Sequence, residues 1–381
     1  MATNWWQTQR ETLLDLSRTQ SPLYVYDEDT LGQRAQRLLA LKSIDQLFYA
    51  IKANDHEDIL RLFESLGLGF ECVSLGELQH VFGLFPHISP DRVLFTPNFA
   101  PREEYAFAFQ KKCRIILDSL YPLEHWSDLF SNQSVLLRLD PGEGRGHHVH
   151  VHTAGKQSKF GISIQDIPKA LALTKKHHVT VVGLHAHAGS GIDDAGYWAE
   201  IARFLMDAAA QFDSVTTLDI GGGLSDRVNL ADLDRSLQEY SNHQLWLEPG
   251  RYLVADAGVL LARVTQIKHK DGVTFIGVDT GMNSLIRPVL YGAEHPVVNL
   301  SRLHEKPAIT AHIVGPICES GDTLGHDVRL PETTEGDIIL IADAGAYGHV
   351  MASHYNRRDP AQEYYFKPAD NLSVRKNKLS S

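Results

Sequence analysis

Through the first two thirds of the chain, short apolar runs alternate with segments whose apolar residues recur every three or four positions. Eight runs stand out: Leu47–Ile51, Phe70–Val73, Val93–Thr96, Ile115–Leu117, Val135–Leu139, Val179–Leu184, Thr217–Ile220 and Leu245–Leu247. Their length and their β-branched and aromatic content predict buried strands, and the intervening periodicity predicts helices. Ile59, Leu60, Phe63 and Leu66 mark one helical face, and Ile167, Leu171 and Leu173 mark another. Strands separated by helical crossovers form a parallel sheet. Eight such units over about 220 residues have the number and size of a (β/α)8 TIM barrel, with a doubly wound sheet as the weaker alternative.

From about Val264 the rhythm changes. Val273–Val278, Ala308–Val314 and Asp337–Ile341 follow one another without clear helices between them, which predicts a second, mostly β domain. Leu23–Tyr26 reads as a strand that joins it. The expected boundaries are 30–263 for the barrel and 264–381 for the C-terminal β domain, with residues 1–29 added to the latter.

The 381 residues suffice for a real core, and 43% apolar with 22% charged residues is ordinary globular composition. A net charge of −11, with no basic cluster except Arg375–Lys378, argues against nucleic acid and anionic membranes as partners. The apolar runs fall far short of the roughly 20 residues of a membrane helix. Residues Met1–Arg10 lack the apolar stretch of a signal peptide, so a cytoplasmic protein is expected. Three cysteines, Cys72, Cys113 and Cys318, are too few and too widely spaced for a disulfide framework or a zinc site.

A barrel gathers its chemistry on the loops that follow its strands. After the first run comes Lys52-Ala53-Asn54, and after the sixth His185-Ala186-His187 with Gly189-Ser190-Gly191. After the seventh comes Gly221-Gly222-Gly223, and after the eighth Glu248-Pro249-Gly250-Arg251. Lys52, ending an apolar strand, is either a desolvated nucleophile toward an aldehyde or a lysine reaching solvent. The glycine triplet is either a cradle of backbone N–H groups for a phosphate or a plain tight turn; it does not match the GxGxxG fingerprint. Glu248 is either half of a salt bridge to Arg251 or the acid that keeps a pyridine nitrogen protonated. Lysine, phosphate cradle and acid in one barrel mouth describe a site for pyridoxal phosphate.

His187 and the segment His147–His152 compete for a metal reading, but no acidic or cysteine partner stands at ligand spacing, so no metal is expected. His187 is placed instead to stack on a cofactor ring. Cys72 and Cys113 read as buried small hydrophobes. Cys318 lies in the polar, turn-rich Gly315–Asp322, where a functional loop and a structural one are equally open.

Together these residues resemble the fold type III pyridoxal-phosphate decarboxylases, the group with an alanine-racemase-like barrel, and within it the diaminopimelate decarboxylases. The resemblance runs from Tyr24 to about Glu363. It rests on ordered motifs that include Tyr49–Asn54, Ser158–Gly161, His187–Ser190, Gly221–Gly223, Glu248–Arg251, Arg287–Tyr291, Cys318–Asp322, Gly345–Tyr347 and Tyr355-Asn356. It implies that Lys52 carries the cofactor, His187 stacks on its ring and Glu248 meets its nitrogen. Ser190, Gly222, Gly223, Arg251 and Tyr347 fall where the family binds phosphate or nearby groups. Arg251, Arg287 and Tyr291 match positions that hold the distal carboxylate of diaminopimelate, and Glu319 matches the residue that meets its distal ammonium.

The resemblance further implies decarboxylation of meso-2,6-diaminopimelate to L-lysine and CO2. It also implies a homodimer in which Cys318, as a catalytic acid, enters the site of the other subunit. The arginine fork itself argues for a second substrate carboxylate. The N-terminal segment and His147–His152 resemble the decarboxylase half of fused aspartate kinase/diaminopimelate decarboxylase proteins, although no kinase motif is present. A sister decarboxylase for ornithine, lysine or carboxynorspermidine, and a non-catalytic cofactor-binding homologue, are the alternatives. A racemase fits less well, because it would place a cation where Glu248 stands.

Overall fold

A computed structural model describes residues 4–142, 145–146, 158–187, 189–240 and 242–367. The described chain divides into two compact units, one spanning 34–252 and the other made of the residues up to 33 and from 253 on.

The first strand, β1 (Leu23–Asp27), belongs to the second unit. The next eight build the first: β2 (Gln46–Ala50), β3 (Gly69–Cys72), β4 (Val93–Phe95), β5 (Arg114–Leu117), β6 (Ser134–Asp140), β7 (Thr180–His185), β8 (Thr217–Asp219) and β9 (Gln244–Leu247). All pair in parallel, β9 pairs with β2, and the pairing of β5 with β6 closes the ring. Each of the eight runs read from the sequence lies on one barrel strand, and the closed ring excludes a doubly wound sheet.

Strand alternation sorts the side chains. Phe48, Leu94, Ile116, Leu136 and Trp246, from five different strands, pack together with Val182 as the apolar layer inside the barrel. Their neighbours in sequence turn outward: Tyr49 meets Phe63, and Phe95 meets Tyr105, on the flanking helices. The helix Glu57–Ser65 buries Ile59, Leu60 and Phe63 as its periodicity predicts, and Asp58 N–H caps onto His56 Nδ1 at 3.2 Å. In Ile167–His177 the buried line is Ile167, Ala170 and Thr174, while Leu171 and Leu173 are only half-buried, a rotation of the expected face. Small Ala170 allows closer approach to the sheet than a leucine there would.

The second unit is mostly β. Its long strand β10 (Gly258–Lys270) is followed by β11 (Val273–Val278), β12 (Val297–Asn299), β13 (Ile309–Val314), β14 (Thr323–Leu330), β15 (Ile338–Ile341) and β16 (Gln362–Phe366). The sheet runs β12-β15-β10-β11-β13-β14, and β1 pairs antiparallel with β10 and parallel with β16. Leu13 and Leu16 of the helix Arg10–Thr19 join Leu23, Val25, Val259, Leu261, Leu340 and Phe366 in its core. No helix among the described residues is long and apolar enough to cross a membrane.

Candidate active site

Above the apolar layer, the inward positions at the C-terminal ends of the barrel strands turn polar. Lys52 follows β2, Glu71 lies on β3, Thr96 follows β4, Arg138 lies on β6, His185 ends β7 and Glu248 follows β9. These six residues and His187 line one cavity of about 320 Å³ with Val73, Asn98, Lys159 and Phe160. Of the residues named from the sequence, Lys52, His187 and Glu248 are thereby brought into one cavity.

Lys52 stands in a single helical turn, Ile51–Ala53, directly after β2. The Tyr49 hydroxyl fastens that turn by donating to the Asn54 carbonyl at 2.8 Å, and Ala50 N–H donates to the Pro249 carbonyl at 3.2 Å. Its ammonium lies 2.7 Å from Glu71 Oε2; the Lys52 side chain is 34% exposed and that of Glu71 not at all. Burial pushes the Glu71 carboxyl up, while Lys52 pulls it down. Lys52 is therefore held by an acid at a position where its amine still opens to the cavity.

The glycine triplet is built by close approach. A Cβ on Gly222 would stand 2.4 Å from the Glu248 carbonyl oxygen, and one on Gly223 would stand 2.3 Å from that of Gly189. Gly221 and Gly223 also carry φ of 69° and 105°, which favour glycine. The triplet thus lets the loops after β7, β8 and β9 pack backbone to backbone. Gly222 N–H donates to His187 Nδ1 at 3.1 Å. An accepting Nδ1 carries no proton, so the proton of the neutral imidazole sits on Nε2. Burial first, then the charges of Arg138 and Lys52, hold His187 well below the usual histidine range.

Glu248 is buried, and its ionic neighbour is His185, whose Nε2 lies 3.5 Å from Oε2. Its Oε1 is buried and has no hydrogen-bond partner. Burial alone would raise this carboxyl, but neighbouring His185 and the ammonium of Lys52 outweigh it and hold it below the usual carboxylate range. His185 is itself lowered by burial, against the pull of Glu248. Arg138 is buried, pairs with Asp118 at 3.4 Å and stacks 4.5 Å over the Phe160 ring.

The remaining sequence-derived residues are not part of that cavity's lining. Ser190 pairs with Gly146 in a two-residue parallel bridge, and Arg251 opens the short helix Arg251–Val254. In the second unit, Arg287 is buried on the helix Arg287–Tyr291 with its Nη1 3.3 Å from His295 Nε2, and Tyr291 ends that helix half-buried. Exposed Cys318 donates its backbone N–H to Asn356 Oδ1 at 2.7 Å, and exposed Glu319 accepts from the Tyr355 hydroxyl. Tyr347 lies half-buried in a turn at φ 56°. Cys72 and Cys113 are buried, as expected of small hydrophobes. The segment His147–His152 lies outside the described residues. Glu71, Arg138 and Asp219 were not singled out from the sequence, although Glu71 and Arg138 are each a lone polar residue in an apolar run and Asp219 shares its run with Thr217.

Three comparisons with known proteins agree with this geometry. A family model described as "Pyridoxal-dependent decarboxylase, pyridoxal binding domain" matches residues 30–255. The diaminopimelate decarboxylase of Methanothermobacter thermautotrophicus is 36% identical over 365 residues, covering 89% of this chain and 85% of that protein. That of Deinococcus radiodurans is also 36% identical, covering 93% of this chain and 92% of its own. The crystal structure of diaminopimelate decarboxylase from Helicobacter pylori complexed with L-lysine superposes with a TM-score of 0.85 at 29% identity, covering 93% of each chain. With a lysine, an imidazole and an unsatisfied carboxylate converging inside a closed parallel barrel, the chain belongs to the pyridoxal-dependent decarboxylases, and among them to the diaminopimelate decarboxylases.

Proposed function

We propose that this protein removes CO2 from meso-2,6-diaminopimelate to give L-lysine, using pyridoxal 5'-phosphate. The observation that carries the reading is the convergence of Lys52, His187 and Glu248 on one cavity. The residues present fit that cofactor. They offer an amine open to the cavity, a buried carboxylate oxygen without a partner and a glycine turn that tolerates no Cβ. A volume of about 320 Å³ lies within the range of small cofactor sites. When bound, pyridoxal phosphate supplies the electron sink that decarboxylation of an α-amino acid needs.

The chain's own groups divide the remaining work. Lys52 attaches the cofactor, with Glu71 as counter-charge for its ammonium. His187, fixed by Gly222 with its proton on Nε2, packs against the ring. Glu248, held ionised, accepts a hydrogen bond from the ring nitrogen and keeps that nitrogen protonated. Ser190, Gly222, Gly223, Arg251 and Tyr347 bind the phosphate and neighbouring groups. In this reading Arg251, Arg287 and Tyr291 bind the distal carboxylate of the substrate and Glu319 its distal ammonium. A buried guanidinium such as Arg287 supports selection of a dicarboxylate, since its fork offers paired donors.

The reading includes a cytoplasmic homodimer with shared sites, in which Cys318 of one protomer returns a proton to Cα in the other's site. Cys318 is an exposed free thiol, and free thiols suit a reducing compartment. The test is to supply meso-diaminopimelate, lysine, ornithine and carboxynorspermidine separately to protein loaded with pyridoxal phosphate, following CO2 and the chirality of the product. Release of CO2 with L-lysine from diaminopimelate alone is expected. Consumption of another amine instead would overturn the substrate assignment, and no turnover at all would overturn the enzyme reading.

A further inference from the structure

A second buried carboxylate, Asp219, lies close to Glu248, which lines the cavity. Asp219 ends β8 and Glu248 follows β9; both are buried, and each has a carboxylate oxygen, Asp219 Oδ2 and Glu248 Oε1, that is buried without a hydrogen-bond partner. A ring nitrogen of His185 and one carboxylate oxygen each of Asp219 and Glu248 lie within 4.8 Å of one another. Two carboxylates this close and out of water do not readily both ionise, so the pair shares one proton.

The surroundings decide which acid holds it. Glu248 faces His185 at 3.5 Å, and the positive charge of Lys52 also acts on it. Asp219 faces the opposite influences: burial first, then the negative charge of Glu248 and, farther off, of Glu71. Gly221 N–H donates to Asp219 Oδ1 at 2.9 Å. That leaves Oδ2, a buried atom without a hydrogen-bond partner, as the oxygen that bears a proton. The two environments push neighbouring acids in opposite directions, the arrangement that separates an acid from a base.

We propose that Asp219 is a positioning residue that stays protonated and donates from Oδ2 to Glu248, so that the pair carries one negative charge, held on Glu248. One donor, Asp219, then supports that carboxylate, with His185 Nε2 3.5 Å away. A carboxylate bonded in this way is a weaker base than a bare one, so it accepts a ring N–H without stripping its proton. That consequence rests on the pyridoxal-phosphate reading above, whereas the protonation of Asp219 does not.

The first measurement is therefore made on cofactor-free protein, by infrared difference spectroscopy of the wild type against the near-isosteric D219N. A carbonyl band of a protonated carboxylic acid is expected at neutral pH. It should shift on [4-13C]aspartate labelling and vanish in D219N. Absence of that band would overturn the proposal, whatever substrate the enzyme takes. The second measurement follows the 15N shift of ring-labelled pyridoxal phosphate in the holoenzyme. D219N, whose amide still donates to Glu248, should keep the ring nitrogen protonated, and D219L should shift it toward the unprotonated value. An unchanged shift in D219L would remove Asp219 from the control of Glu248. Should D219L fail to hold the cofactor, the infrared comparison decides alone.

Discussion

Replacing Lys52 by alanine strands a carboxylate that the barrel has taken wholly out of water. Glu71 sits on β3 with no exposed side-chain surface, and Lys52 is its ionic partner at 2.7 Å. Removing one member of a fully buried pair costs about 3–5 kcal/mol, and the one-third exposure of Lys52 places this case at the lower end, about 3 kcal/mol. For a unit of this size each kcal/mol moves the melting temperature by about 2–4 °C, so a fall of about 6–12 °C is expected. The loss carries a pH signature. Burial already raises the Glu71 carboxyl, and without Lys52 it rises further. Below the unfolded carboxyl's pKa both states hold the proton and the penalty is small. Above it the unfolded chain releases the proton while the folded one keeps it. Both folded proteins keep it at first; once the pH passes the wild-type folded pKa, only the variant does, and its stability relative to wild type falls by up to about 1.4 kcal/mol per pH unit. Calorimetry of the cofactor-free forms between pH 5 and pH 8 measures this directly. Lys52→Ala combined with Glu71→Gln should recover most of the loss and flatten the pH dependence. A deficit independent of pH, or one that Glu71→Gln leaves in place, would refute the electrostatic account.

Three further outcomes follow from the same geometry. Leu136→Ala, inside the barrel's apolar layer, should cost about 3 kcal/mol in denaturant titration through the cavity it leaves. Gly222→Ala drives a methyl group against the Glu248 carbonyl and displaces the His187 contact; it should retain the fold by circular dichroism while turnover drops about 100-fold. Arg287→Lys keeps the charge but loses the fork, so the KM for diaminopimelate should rise by about 10–100-fold with kcat less affected. An unchanged KM would take Arg287 out of substrate recognition.

Much of the barrel was legible because the inner and outer faces of parallel strands are both buried, which makes each strand a compact apolar run bounded by polar residues. Lys52, His187 and Glu248 were legible because Lys52 and Glu248 lie directly beyond such runs and His187 three residues beyond one. Glu71, Arg138 and Asp219 were not, since they sit within or at the edge of runs where one polar residue looks like an interruption. Only ring closure reveals that their parity points inward and that Glu71 faces Lys52. The strand Gly258–Lys270 was hidden for a related reason. Its first half is fully buried while its second half is largely exposed, so no single periodicity covers it. The rotated face of Ile167–His177 shows the converse, since periodicity marks leucines strongly and is blind to a buried alanine.

The seam between β2 and β9 joins the two ends of the barrel, and Lys52 and Glu248 stand just beyond it on opposite sides. Asp45 N–H donates to the Leu245 carbonyl at 2.8 Å, while Leu245 N–H donates to the Asp45 carboxylate at 2.8 Å. A nascent chain growing at about 5–20 residues per second therefore displays its lysine some 10–40 s before the matching acid exists. Throughout that interval the lysine is an ordinary amine. Cofactor capture thus reports completion of the ring, and a chain truncated short of its last barrel strand would leave the ribosome without a place for the aldehyde.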